Sequence, residues 1–414
     1  MALPPFLHTG DFPREFALFV NLVGAERLQK PIKKVAAKLD RLDPVLRGIY
    51  LDRYDIALQL LAFDQPPYPF QLDVRDPRAV RTASFVAGIN RMAERLDTAG
   101  RHELAKRVTA DLAADRDIRG LELEVTVFNH LHRKGFDFRL ADFEGSGTFD
   151  FLAVIDGREV EIECKTVTGT TGFDIKEESQ VTIGKTFINR CREGLNVPTS
   201  GIFILSLKEP IKKIENLSQA MTDMLRRCAG EPVETNIFRI EWKPRPMWQT
   251  ALVEGDRSRF EIDFAQDEAI GRDFCVQTTK HRRPLALVVR PYKPPTLAQK
   301  LSEIIKDAGG QCSKTRPAII WVGLSGHDED EFHQLAEFSL NSHGGGLNAI
   351  FANSFHPGVD RDHIAGARFS VRARSVSSTR TLGPDQLMAG AYHIGGALYH
   401  IPNPHCSFGV VGEL

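Results

Sequence analysis

Two β-type runs, Phe149–Ile155 and Arg158–Val167, flank the dipeptide Asp156-Gly157, and no other feature constrains this chain as tightly. Asp-Gly is favoured in two-residue type I′ turns, whose twist matches that of the strands they join. Such a turn fixes the register. Ile155 faces Arg158, and counting back places Asp150 opposite Glu163. Directly opposed residues hold their Cβ atoms roughly 4.5–5.5 Å apart. Lys165 lies two residues beyond Glu163 and projects from the same face. Phe149, Phe151 and Ala153 then pair with Cys164, Ile162 and Val160 on the other face, the expected core side.

Like charges across a hairpin repel. A hard, oxygen-seeking cation such as Mg²⁺ removes that penalty, and an ammonium beside it could hold or help deprotonate a water. Those are the parts needed to hydrolyse a phosphodiester. The competing reading is a half-exposed hairpin whose solvent face carries Asp, Glu and Lys. The preceding helix, about 118–134 and ending at Gly135, favours the first. Glu124 follows Leu121 by three residues and precedes Phe128 by four and Leu131 by seven, so it sits on the inward stripe. A carboxylate there is costly unless something pairs with it. Glu122, on a different face, reads as solvated charge. Glu124, Asp150, Glu163 and Lys165 are therefore expected to converge.

The order helix glutamate, glycine, strand, aspartate, hairpin, Glu-x-Lys resembles the PD-(D/E)XK nuclease superfamily. The matching positions are Glu124, Asp150, Glu163 and Lys165, over about 118–167. Phe149 stands where the family pattern has proline, and Gln180 is followed four residues on by Gly184 instead of the tyrosine of the exonuclease branch. The resemblance implies a restriction-endonuclease-like fold, a mixed sheet flanked by helices. It also implies Mg²⁺, with Mn²⁺ as substitute, bound by Asp150, Glu163 and Glu124, and Lys165 acting on the attacking water. Nucleic acid is the implied partner, DNA before RNA, with a role in bacterial defence or DNA repair. A protein that keeps this fold as a catalytically silent nucleic-acid-binding or interaction module is the alternative.

The remainder reads as α/β (α+β). Residues 1–115 carry helical periodicity, with Pro31 and Pro44 suited to helix starts, interrupted by the proline-rich stretch 64–78. Residues 116–355 form the nuclease-like core, with helices near 178–193, 211–228, 296–308 and 329–341. A β-rich insertion is expected at about 236–290, with RFEIDF as one strand, and AIIWVGL (318–324) reads as a buried strand. Residues 356–414 are a C-terminal extension. Thr168 and Thr170, just after Lys165, and Lys176 and Lys185 beyond them are candidate phosphate contacts; a connector and a solvated helix face are the plainer readings.

Weaker signals have bland readings too. His327, Asp328, Asp330 and His333 include metal-ligand types, but acidic residues before an apolar helix are what a helix dipole attracts. His130 and His132 read as surface histidines at a helix end. Arg361, Arg368, Arg372, Arg374 and Arg380 read as a solvated strand face, and Trp242 and Trp248 as core.

Composition bounds these readings. A chain of 414 residues with a formal net charge of −1 gives no global attraction to polyanions, so nucleic-acid binding must be local. Apolar residues at 42% exclude a disordered chain. No run approaches the roughly 18 apolar residues of a membrane span, and MALPPFLHTGDF lacks the form of a signal peptide. The six cysteines form no CxxC pair and are expected to be reduced, in a cytoplasmic protein. A homodimer is left open.

Overall fold

The computed structural model describes residues 6–64, 72, 76–113, 115–168, 175, 177–193, 199–209, 232–254, 256–267, 274–280, 283–291, 297–325, 354–355, 361–371, 381–383, 386–388, 398–403 and 405–408. It is mixed α/β, and the chain divides into two units. The first comprises Met1–Leu39, Asp52–Thr171 and Leu297–Leu414; the second comprises Asp40–Leu51 and Gly172–Thr296.

The first unit is organised by a six-stranded sheet. Strand β1 (Phe6–His8) belongs to a separate small sheet; β2 (Asp137–Leu140), β3 (Phe151–Ile155) and β4 (Arg158–Thr168) form an antiparallel meander. On the other side of β4 lies the strand Ala318–Ser325, parallel to it; next comes Ile364–Val371, also parallel, and last Leu398–Pro402, antiparallel. Every residue of Ala318–Ser325 is buried, as an unbroken apolar run in a covered parallel strand should be. The turn between β3 and β4 has Asp156 at φ 51 and Gly157 at φ 74, the two positive φ values of a type I′ turn. The register follows: Ile155 pairs with Arg158 and Phe151 with Ile162.

Helices cover both faces. Five precede the sheet: α1 (Phe12–Val23), α2 (Ala25–Asp40), α3 (Pro44–Phe63), α4 (Pro77–Arg95) and α5 (Thr98–Asp111). Pro44 opens its helix as expected, but Pro31 lies inside α2, where the missing N–H removes one intrahelical bond. Asp76 and Asp97 cap α4 and α5 by accepting from Arg78 N at 2.9 Å and Gly100 N at 2.8 Å. Helix α6 (Arg119–Lys134) lies on one sheet face and stops at Gly135, which is left-handed at φ 75 and ψ 18 while Phe136 N donates back to Leu131 O at 3.2 Å. On the opposite face the helix Leu297–Gly309 packs Leu301, Ile305 and Ala308 against Val167, Ile320 and Val322.

Three expectations for this unit fail. Glu122 is not solvated: Arg81, 3% exposed on α4, donates to both its oxygens at 2.7 and 2.6 Å, so the pair ties α4 to α6. His130 is not at the surface, since its ring packs edge-on against Trp321 at 5.1 Å. The buried Arg368 also lies over that indole, 5.4 Å from the ring, where a solvated strand face was expected. Glu122 and His130 are both carried by α6.

The second unit contains a five-stranded sheet in the order β6 (Val233–Glu234), β7 (Phe238–Pro244), β5 (Gly201–Leu207), β9 (Arg283–Arg290), β8 (Phe274–Lys280), parallel only between β5 and β9. Helix α7 (Glu177–Glu193) places Phe187 edge-on against Phe203 at 5.9 Å. The insertion at 236–290 is less β-rich than expected. Pro246–Val253 and Arg257–Ala265 are helices, the second containing RFEIDF and capped by Asp256, which accepts from Arg259 N at 2.9 Å. That segment's alternation is overridden by its cap and by packing of Phe260 and Phe264 against Trp248. Trp248 is core, as expected. The helices expected at 211–228 and 329–341 and the cluster at 327–333 lie outside the described residues.

The position of α6 generates a test. A Cβ on Gly88 of α4 would stand 2.2 Å from Val125 Cγ1 of α6. Gly88→Ala should lower stability in chemical denaturation by about 1–3 kcal/mol through overpacking, and adding Val125→Ala should restore most of the loss. Additive losses in the double variant would show that the two helices do not meet there.

Candidate active site

The site is built where β3 begins. Asp150 lies one residue before that strand. Its backbone N donates to Ile162 O at 3.1 Å, while its carboxylate Oδ2 accepts from Cys164 N at 2.6 Å. The side chain thus closes the ladder where the incoming chain has diverged from β4. Glu163 and Lys165, one pleat period apart on β4, share a face, and the Lys165 ammonium donates to Glu163 Oε1. By alternation that face is the one bearing Val167 and the helix Leu297–Gly309, whereas Thr166, which donates to Arg119 O at 3.3 Å, faces α6. Glu124 comes from α6, on the other side, and interacts with Asp150 through its charge.

Burial and mutual repulsion dominate the electrostatics. Glu124 and Glu163 are each 3% exposed. Burial, then the charge of Asp150, pushes the Glu163 carboxyl up to about 7 against the pull of Lys165. Burial and Asp150 likewise drive Glu124 well above the carboxylate range, although Arg107 opposes them. Asp150 is raised by burial; the Cys164 amide and the charges of Arg107 and Lys165 work the other way. The thiol of the half-buried Cys164 is pushed up by desolvation and by the charges of Asp150, Glu124 and Glu163, and stays protonated. Glu124, Asp150, Glu163 and Lys165 therefore form one electrostatic cluster.

Arg107 of α5 belongs to the same cluster and carries no signal in the sequence that separates it from its neighbours Arg101 and Lys106. Its guanidinium donates to Glu124 Oε1, donates to Asp142 Oδ2 at 3.1 Å, and lies 3.7 Å from Asp111 Oδ2. Burial lowers its proton affinity, but the charges of Glu124, Asp150, Asp111 and Asp142 outweigh that and raise it. Two oxygens remain: Glu124 Oε2 and Glu163 Oε2 are buried and have no hydrogen-bond partner. Such groups are uncommon and call for a ligand or a proton. Among the described residues no three His, Cys, Asp or Glu side chains are arranged to hold one metal ion. The donors fit a hard cation in kind, while Arg107 and Lys165 each occupy a carboxylate oxygen.

The other candidates fall elsewhere. Thr168 ends β4, half-buried and in register with Ser325. Lys185 is exposed on α7 in the second unit, on a cavity of about 250 Å³ that Arg41, Leu42, Asp43, Ile188 and Asn189 complete. Thr170 and Lys176 lie outside the described residues. Cys164 and Cys312 are free thiols. No described helix is long and apolar enough to cross a membrane. No protein-family model, curated protein or solved structure matches the chain.

A pH dependence follows from Glu163. Its carboxyl titrates near 7 in the folded protein against 4.5 ordinarily. Between those values the folded state holds the extra proton, so stability falls as pH rises from 5 to 8. In EDTA the wild type should lose about 2 kcal/mol over that interval, and Glu163→Gln should flatten the slope. An equally steep slope in the variant would assign the dependence to other groups.

Proposed function

We propose that this chain is a metal-dependent nuclease with a restriction-endonuclease-like core, hydrolysing phosphodiester bonds in nucleic acid, with DNA the favoured substrate and bacterial defence or DNA repair the setting. The observation that carries the reading is the pair of buried, unpartnered oxygens, Glu124 Oε2 and Glu163 Oε2, on two carboxyls that both feel the charge of Asp150, the second accepting from the Lys165 ammonium. Repulsion among buried carboxylates is tolerated when a cation is a normal occupant.

Asp150, Glu163 and Glu124 would hold Mg²⁺, for which Mn²⁺ substitutes because both accept octahedral oxygen ligands. The bound ion supplies Lewis acidity toward a phosphoryl oxygen and a more acidic water. The chain's own groups do the rest. The Cys164 amide fixes Asp150 so that its carboxylate does not rotate. Lys165, 30% exposed where Glu163 is buried, reaches solvent from β4; there it orients the attacking water and offsets charge growing on the phosphate. Glu163 gives one oxygen to Lys165 and would offer the other to the ion. Glu124 completes the acidic shell from α6.

The test is cleavage of single-stranded, duplex and branched DNA and of RNA, in Mg²⁺ or Mn²⁺ against EDTA. Cleavage should require the metal and fall at least about 100-fold in Lys165→Ala and Asp150→Asn, both folded by circular dichroism. Substrate binding without cleavage in the wild type, on every substrate, would replace this reading with the catalytically silent nucleic-acid-binding module.

A further inference from the structure

Each acidic member of the cluster is already committed on one oxygen. Asp150 accepts from the Cys164 amide, Glu163 from Lys165 and Glu124 from Arg107. The first is a backbone contact within the sheet, and the second places the ammonium that the chemistry uses. The third differs because the guanidinium has somewhere else to go. It already donates to Asp142 and lies near Asp111, its carbon stands 5.5 Å from the Phe143 ring, and its side chain is 33% exposed. Asp142 sits in an ordered turn, with Glu144 N donating to Leu140 O at 3.0 Å and Ser146 N to Ala141 O at 2.9 Å. A planar fork with five donors can surrender one carboxylate and keep the others.

We propose that Arg107 is a positioning residue that sets the divalent-cation affinity of this site: its guanidinium stands in for the ion at Glu124, and ion entry transfers it to Asp142 and Asp111. The inference rests on the reading of the acidic cluster as a metal site. While Arg107 holds Glu124 Oε1, the helix carboxylate is turned to the protein's own cation. The metal-free site is thereby kept from accumulating unscreened charge, and ion binding is weakened by the contact it must break.

The experiment is calorimetric titration of the full chain with MnCl₂ and with MgCl₂. Arg107→Gln should bind Mn²⁺ at least about tenfold more tightly, because a competing unit charge is removed from a poorly solvated cluster. Arg107→Lys keeps the charge but cannot bridge Glu124 and Asp142 together, so it should tighten binding by about threefold. Lys106→Gln removes the adjacent charge, which pairs with Glu103 instead, and should change the affinity by less than about twofold. Asp150→Asn should lose binding. Unchanged or weaker binding in Arg107→Gln, with Asp150→Asn still defective, overturns the role of Arg107 and leaves the metal site standing. Should Arg107→Gln not fold, Arg107→Lys decides in the same way. Equal Mn²⁺ binding by wild type and Asp150→Asn overturns the metal site, and the role of Arg107 with it.

Discussion

Strand β4 has neighbours on both edges and cover on both faces, yet it carries Glu161, Glu163 and Lys165 in alternate positions. A central strand with that sequence folds only if each charge finds a partner, because an unpaired buried charge costs several kcal/mol. How those partners are supplied determines much of the first unit. Ser313 N donates to Glu161 Oε2 at 2.7 Å, Ser313 Oγ donates to Oε1, and Arg316 Nη1 approaches Oε1 at 3.4 Å. Glu161 thus pins the turn that feeds the neighbouring parallel strand, and it has no buried oxygen left over. Its role is structural.

Glu163, two residues on, is equally deep and is left incomplete. One oxygen meets Lys165 and the other meets nothing. The contrast within one strand bears on function more directly than burial does. The chain can satisfy a buried carboxylate fully where it needs only structure, so the unsatisfied one marks a place where an outside charge or a proton is accommodated. Glu124 repeats the pattern from α6, with one oxygen on Arg107 and the other bare.

Much of this was legible in the sequence because it depended on local rules. Asp156-Gly157 dictated the turn type, the turn dictated the register, and the register brought Asp150 and Glu163 to the same end of the sheet. The spacing of Glu124 from Leu121, Phe128 and Leu131 gave its inward direction without reference to what it meets. Contacts made by distant segments were not legible. Nothing local distinguishes Arg107 from Arg101, or Arg81 from the other arginines of the helical region, until α4 and α5 are laid beside α6. Glu122 and Arg368 were read as solvated for the same reason. RFEIDF failed differently: its alternating pattern suits a strand, and the aspartate three residues before the segment, read as a helix cap, was the stronger signal.

The two cations of the cluster divide its work according to their chemistry. Lysine presents a compact ammonium on a flexible stem, suited to following a water or a phosphate oxygen as charge develops. Arginine presents a fork that spans two carboxylates and remains charged in any surroundings the protein offers. Lys165 is on the rigid central strand, next to the residue that anchors it. Arg107 is on a helix outside the sheet, between a buried carboxylate and an exposed one, with Asp142 48% exposed. Exchanging the two residue types would leave the net charge of the cluster unchanged. The group that spans Glu124 and Asp142 would then lose its bridge, and the group donating to Glu163 would become a rigid plane. On the proposed reading, placing the softer positioning task on the strand and the bridging task on the helix is what a site alternating between empty and occupied states would require.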